Sequence, residues 1–227
     1  MHPFTAQLQQ ALQHDRPVPR RDAAVPSAQA DTMAIQAELV GILGGTGAWK
    51  VSPWSEDKPM VAAPIPQAWI YQSGQGISLL PGLRLEVELA LVSAADGTFS
   101  IAPAFELVRS RLEPGADWPD LAKKADLMST AGLVLGPAQP LPAGDNPDCP
   151  VRLTTGDGAT QTSTTPLLRD PLLRAAAWAA DYADRLGLPF AAGTVIMTGA
   201  RVGPMDILLG ETVAELGSLG TVRFHTL

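Results

Sequence analysis

The chain has one cysteine, Cys149, in 227 residues, so an internal disulfide framework is excluded and a reducing compartment is the natural setting. Basic residues are also few: 16 Lys and Arg stand against 23 Asp and Glu, with no cationic cluster beyond Arg20-Arg21. A surface for nucleic acid or for an anionic membrane needs the opposite balance. No apolar run approaches the roughly 20 residues of a membrane span, and the opening MHPFTAQLQQALQHD is too polar for a secretory leader. Histidine is scarce as well. His2, His14 and His225 lie near the ends at no ligand spacing, which leaves them to the exposed surface and removes a His/Cys metal centre. These absences point to a cytoplasmic globular chain that contacts neither nucleic acid nor membrane, and 46% hydrophobic residues suffice for one sizeable core.

Phe4, Leu8 and Leu12 recur every four residues and predict an N-terminal helix. The proline-broken stretch HDRPVPRRDAAVPSAQAD then reads as a linker or an extended arm, so residues 1–30 are expected to be an appendage and 31–227 the main domain. A second helix is expected from an N-cap at Asp31, burying Ile35, Leu39, Ile42 and Leu43 and ending at Gly44-Gly45. A third should open at Asp170-Pro171, with proline at its first position, and stop at Gly187. Between and after these, strand-like runs alternate with Gly and Pro turns, and the last forty residues read as short strands. The order is that of an α+β chain built on a curled antiparallel or mixed sheet, not a doubly wound fold.

Within RLEVELALV (84–92), Glu86 and Glu88 share one strand face with Arg84, while Leu85, Val87, Leu89 and Leu91 line the other. Two readings are open. The glutamates lie on a solvated outer face, or they converge on a divalent cation, since like charges repel unless something positive lies between them. A third carboxylate would favour the second, and Glu106 in IAPAFELVRSRL (101–112) is the candidate.

GAWKVS (47–52), LEVELALV, PAFELVRSRL, ADLMSTAGLVLG (125–136) and the closing AAGTVIMTGA…GETVAELGSLGTVRF occur in one order. Together they resemble the 2-oxopent-4-enoate hydratase and 2-oxo-3-hexenedioate decarboxylase branch of the fumarylacetoacetate hydrolase superfamily, over roughly residues 30 to 227. The resemblance implies a mixed β-sandwich roll preceded by helices, assembled as a homo-oligomer. It implies Mg²⁺ or Mn²⁺ on Glu86, Glu88 and Glu106, a small 2-oxo acid substrate, Lys50 and Ser129 as catalytic groups, and Lys50, Ser129 and Thr198 as substrate-binding groups. Carboxylate oxygens suit those hard cations. Lys50, beside apolar neighbours and a metal, is expected to have a lowered pKa.

The implied activity is a metal-dependent hydratase acting on a 2-oxo-enoate. The alternatives are a 2-oxo-enedioate decarboxylase, an acylpyruvate-type hydrolase and a non-catalytic keto-acid binder. The chain departs from the family pattern at Ser52, Arg109, Leu127 and Ala200, and carries no acid in APIPQAWIYQSG. Arg109 is expected on a strand, turned away from Glu106, which favours a monocarboxylate substrate.

Overall fold

A computed structural model of the chain describes residues 1–52 and 59–227. Helix α1 (Pro3–His14) buries Phe4, Leu8 and Ala11. His2 is partly buried rather than free at the surface, because its Nδ1 accepts the Phe4 N–H and caps the helix. In the arm that follows, Val18 is bridged to Leu112, and a single 3-10 turn at Arg20–Asp22 interrupts otherwise extended chain. Helix α2 (Gln29–Ile42) starts two residues before the expected Asp31 N-cap. Asp31 sits instead at the third helical position and accepts the Ser27 and Ala28 N–H groups at 3.0 Å, closing the helix start from inside. Ile35 and Leu39 are buried as expected, but Ile42 is exposed and Leu43 only partly covered; Thr32, Gln36 and Val40 fill the inner face. Their offsets from Ile35 and Leu39 place them on the same stripe.

The strands are β1 (Thr46–Ser52), β2 (Val61–Pro66), β3 (Ile70–Gln72), β4 (Gly76–Ile77), β5 (Arg84–Ser93), β6 (Phe99–Val108), β7 (Thr130–Leu135), β8 (Gln139–Pro140), β9 (Asn146–Thr154), β10 (Thr160–Leu167), β11 (Val195–Asp206), β12 (Glu211–Leu216) and β13 (Thr221–Thr226). Two helices interrupt them: the short α3 (Asp120–Ala125), which no periodicity or cap predicted, and α4 (Arg169–Leu186). Pro171 is the third residue of α4, not the first, and Gly187 ends the helix at φ 64° as expected. The closing segment is less broken than its glycines suggest, since β11 runs for 12 residues through bulges.

One sheet is eight-stranded, in the order β2-β1-β11-β5-β6-β7-β3 with β8 on β6; the other has the order β10-β9-β12-β13-β4. They pack face to face. Leu85, Val87, Leu89 and Leu91 of β5 meet Val151, Leu153, Leu216, Val222 and Phe224 of the smaller sheet in one buried cluster. Phe105 and Phe224 cross that interface edge to face at 5.3 Å. The larger sheet curls until its remote strands β2 and β7 touch. Inside the curl lie Ala48, Ala90, Ala104, Leu133, Val195 and Met197, which are mostly small and leave room for longer side chains beside them.

Candidate metal centre

β5 is an inner strand whose leucine and valine face packs on the smaller sheet, while Glu88 and Ala90 of its other face are fully buried too, so that face is no solvated exterior. This overturns the reading of Glu86 and Glu88 as an outer face. Glu88 and Glu106 are fully buried and Glu86 is partly so. The register sets Glu86 directly opposite Glu106, and strand alternation puts Glu88 on the same inward face. The three carboxylates each bring one oxygen within 4.8 Å of the others. Three carboxylates with only oxygen donors would suit a hard divalent cation, and Glu86, Glu88 and Glu106 are the residues that would hold it.

Lys50, inward-facing on β1, reaches into the same cluster. Its Nζ lies 2.9 Å from Glu106 Oε1, 4.0 Å from Glu86 Oε2 and 3.4 Å from the Met128 carbonyl oxygen, to which it donates. Glu88 Oε2 accepts the Gly199 N–H at 2.8 Å, while among the described residues Glu88 Oε1 and Glu106 Oε2 are buried with no hydrogen-bond donor. Buried carboxylate oxygens without donors are costly unless a cation serves them.

The electrostatics follow from burial in a shared cavity. Desolvation raises the pKa of Glu88 well above the usual carboxylate range, and the Glu106 charge adds to it. Desolvation likewise raises Glu86. For Lys50 the expectation of a lowered pKa is reversed. Burial does oppose its charge, but Glu106, Glu88 and Glu86 together outweigh burial and hold the pKa above that of a free lysine.

Of the other predicted site residues, Ser129 lies in the turn next to Met128, and that turn approaches Lys50 through its backbone. Thr198 is buried, with its hydroxyl donating to the Leu89 carbonyl at 2.6 Å, so it ties β11 to β5; its neighbour Gly199, at φ 96°, fixes Glu88. Arg109 lies one residue past the end of β6 rather than on the strand, but it turns away from the triad as expected, donating to the Pro81 carbonyl at 2.9 Å and pairing with Asp15.

The sequence reading missed Arg201. It is partly buried, donates to the Thr198 and Gly199 carbonyls, and lies close enough to Glu88 for the two charges to interact; burial lowers its pKa to about 10 against the pull of Glu88. A guanidinium three residues after Thr198, in a segment otherwise apolar, was the available signal.

No family model matches the chain. A curated 2-keto-4-pentenoate hydratase from Paraburkholderia phymatum is 36% identical over 160 residues, covering 62% of this chain and 59% of that protein. A curated 4-oxalocrotonate decarboxylase from a Pseudomonas species is 29% identical over 152 residues, covering 66% of this chain and 58% of the relative. The chain thus spans a little under three fifths of the curated relatives it matches. Among solved structures, the 4-oxalocrotonate decarboxylase of Pseudomonas putida G7 complexed with magnesium and adipate superposes with a TM-score of 0.80, over 99% of this chain and 96% of that one, at 17% identity. The maleylpyruvate hydrolase of Sphingobium, in complex with manganese and pyruvate, reaches 0.50 over 79% of this chain and 69% of its own, at 14% identity. In sequence the chain is similar to a curated 2-keto-4-pentenoate hydratase and a curated 4-oxalocrotonate decarboxylase, and in fold to a solved 4-oxalocrotonate decarboxylase.

Proposed function

We propose that the chain is a divalent-metal-dependent lyase acting on 2-oxo-enoates, and specifically a hydratase of a 2-oxopent-4-enoate-like monocarboxylate. The observation that carries this reading is the inward carboxylate triad with two donorless buried oxygens. Glu86, Glu88 and Glu106 would hold Mg²⁺ or Mn²⁺, which supplies Lewis-acid stabilisation of negative charge developing on the keto acid. Lys50, at the edge of the triad, holds a proton at Nζ beside the place where that charge forms and can pass it to the substrate's carbon chain. Ser129 offers its hydroxyl from the adjoining turn to the substrate. Thr198 keeps β11 against β5, so that Gly199 holds Glu88 toward the others. The apolar residues inside the curl line the rest of the cavity.

A second reading, the decarboxylation of a 2-oxo-enedioate, draws on Arg201. A dicarboxylate needs a cation for its far end, and Arg201 supplies a partly buried guanidinium near Glu88 that Arg109 does not. The two readings separate in one experiment. The protein with Mn²⁺ is given 2-oxopent-4-enoate and 2-oxo-3-hexenedioate, while loss of the conjugated absorbance and CO₂ release are followed. Turnover of the monocarboxylate without CO₂ supports the hydratase. Stoichiometric CO₂ from the dicarboxylate alone replaces it with the decarboxylase. No turnover of either, with Mn²⁺ bound, leaves a non-catalytic keto-acid binder.

A further inference from the structure

Leu127, Met128 and Ser129 have φ values of 47°, 52° and 63°. Three consecutive non-glycine residues in the left-handed region are disfavoured at each position, and such a stretch persists only when its surroundings over-determine it. What surrounds it is a buried ion pair. Asp126 accepts the Arg111 Nε–H at 2.5 Å, the Arg111 backbone N–H at 3.0 Å and the Ser110 hydroxyl at 2.8 Å. The other arms of Arg111 donate to the carbonyls of Asp126 and Thr130, the residues that flank the left-handed stretch on either side. The Ser129 N–H closes onto the Asp126 carbonyl at 2.8 Å, and its carbonyl accepts the Arg109 N–H at 2.7 Å. One guanidinium therefore clamps both ends of the turn, and the turn's middle carbonyl, that of Met128, points at Lys50 Nζ.

We propose that Arg111 and Asp126 are positioning residues for Lys50. Their ion pair holds residues 127–129 left-handed, and that hand aims the Met128 carbonyl at the ammonium. The other partners of Lys50 are the triad carboxylates, which a bound cation would engage and whose attraction it would offset. The Met128 carbonyl lies outside the triad and keeps the ammonium in place in either state. This rests on reading Lys50 as the proton-transfer group, but the placement of its ammonium can be measured without turnover.

The test is the rate at which the Lys50 amine is acylated by an amine-reactive ester, read by peptide mass spectrometry on the folded full chain with and without Mn²⁺. Valine resists the left-handed region and glycine accepts it. Met128→Val should therefore expose Lys50 and raise its acylation about tenfold, while Met128→Gly should leave it within about twofold of the parent. Asp126→Asn should act like the valine variant, because Arg111 loses its charged partner, and it serves as the readout if circular dichroism shows the valine variant unfolded. Equal acylation of the glycine and valine variants would overturn the proposal. So would parental acylation in folded Asp126→Asn. A protein that turns over no 2-oxo-enoate yet shows the Val/Gly contrast would sink the functional reading while leaving this one standing.

Discussion

On one face of β5, Leu85, Val87, Leu89 and Leu91 are buried among the side chains of the smaller sheet; on the other, Glu86 and Glu88 are also largely buried, inside the curl of their own sheet. The two faces are covered to a similar degree and contribute with opposite sign. Each leucine or valine contributes roughly 1.5–3 kcal/mol by leaving water, whereas each carboxylate gives up hydration that Lys50 only partly replaces. Burial therefore measures stability on one face and stored electrostatic demand on the other.

The sharpest contrast between the faces is in turnover. Lys50→Met should lower the rate on a 2-oxo-enoate by about 10²- to 10⁴-fold, with Mn²⁺ affinity by calorimetry nearly unchanged; a loss of only a few-fold would remove Lys50 from the chemistry. Leu89→Ala should cost about 2–5 kcal/mol in urea unfolding, equally with and without metal, since its partners are apolar. Glu106→Ala should leave the metal-free fold intact and abolish the stabilisation Mn²⁺ gives, about 2.7 kcal/mol at a hundredfold excess over its Kd. A full Mn²⁺ response in both Glu106→Ala and Glu86→Ala would dissolve the distinction between the faces.

The smallest effect is in pH. Glu88 and Glu86 have folded pKa values raised above their unfolded ones, so between those values the folded state holds more protons than the unfolded state. Metal-free stability should therefore rise as pH falls from neutrality toward the ordinary carboxylate range. With saturating Mn²⁺ the carboxylates are held ionised and the trend should reverse. Melting temperatures across pH 5 to 8, in chelator and in Mn²⁺, check both signs; parallel curves would remove the coupling.

The helices were legible where periodicity and stop signals agree: α1 and the end of α4 lie where Phe4, Leu8 and Gly187 place them. Starts were less so, because Asp31 caps equally well from the third helical position as from the first flanking one. The third glutamate was legible from its interruption of an apolar run. The direction of the Lys50 shift was not, because its sign depends on how many carboxylates share the cavity. The left-handed turn was invisible for a related reason. Leu127 and Met128 have no preference for that conformation.

By itself the sequence determined the alternation in RLEVELALV, and with it that Glu86 and Glu88 leave the strand on the side opposite its leucines, because strand geometry fixes the period at two. It also determined the donor chemistry, oxygen and nitrogen without thiolate or imidazole. Only the tertiary structure decided that the glutamate side is an interior. That depended on the register that sets Glu86 against Glu106, on the curl that brings β2 to β7, and on a buried arginine clamping a turn many residues from the strand it serves. Each of these is a contact between segments distant in the chain, with an energy that no local pattern encodes.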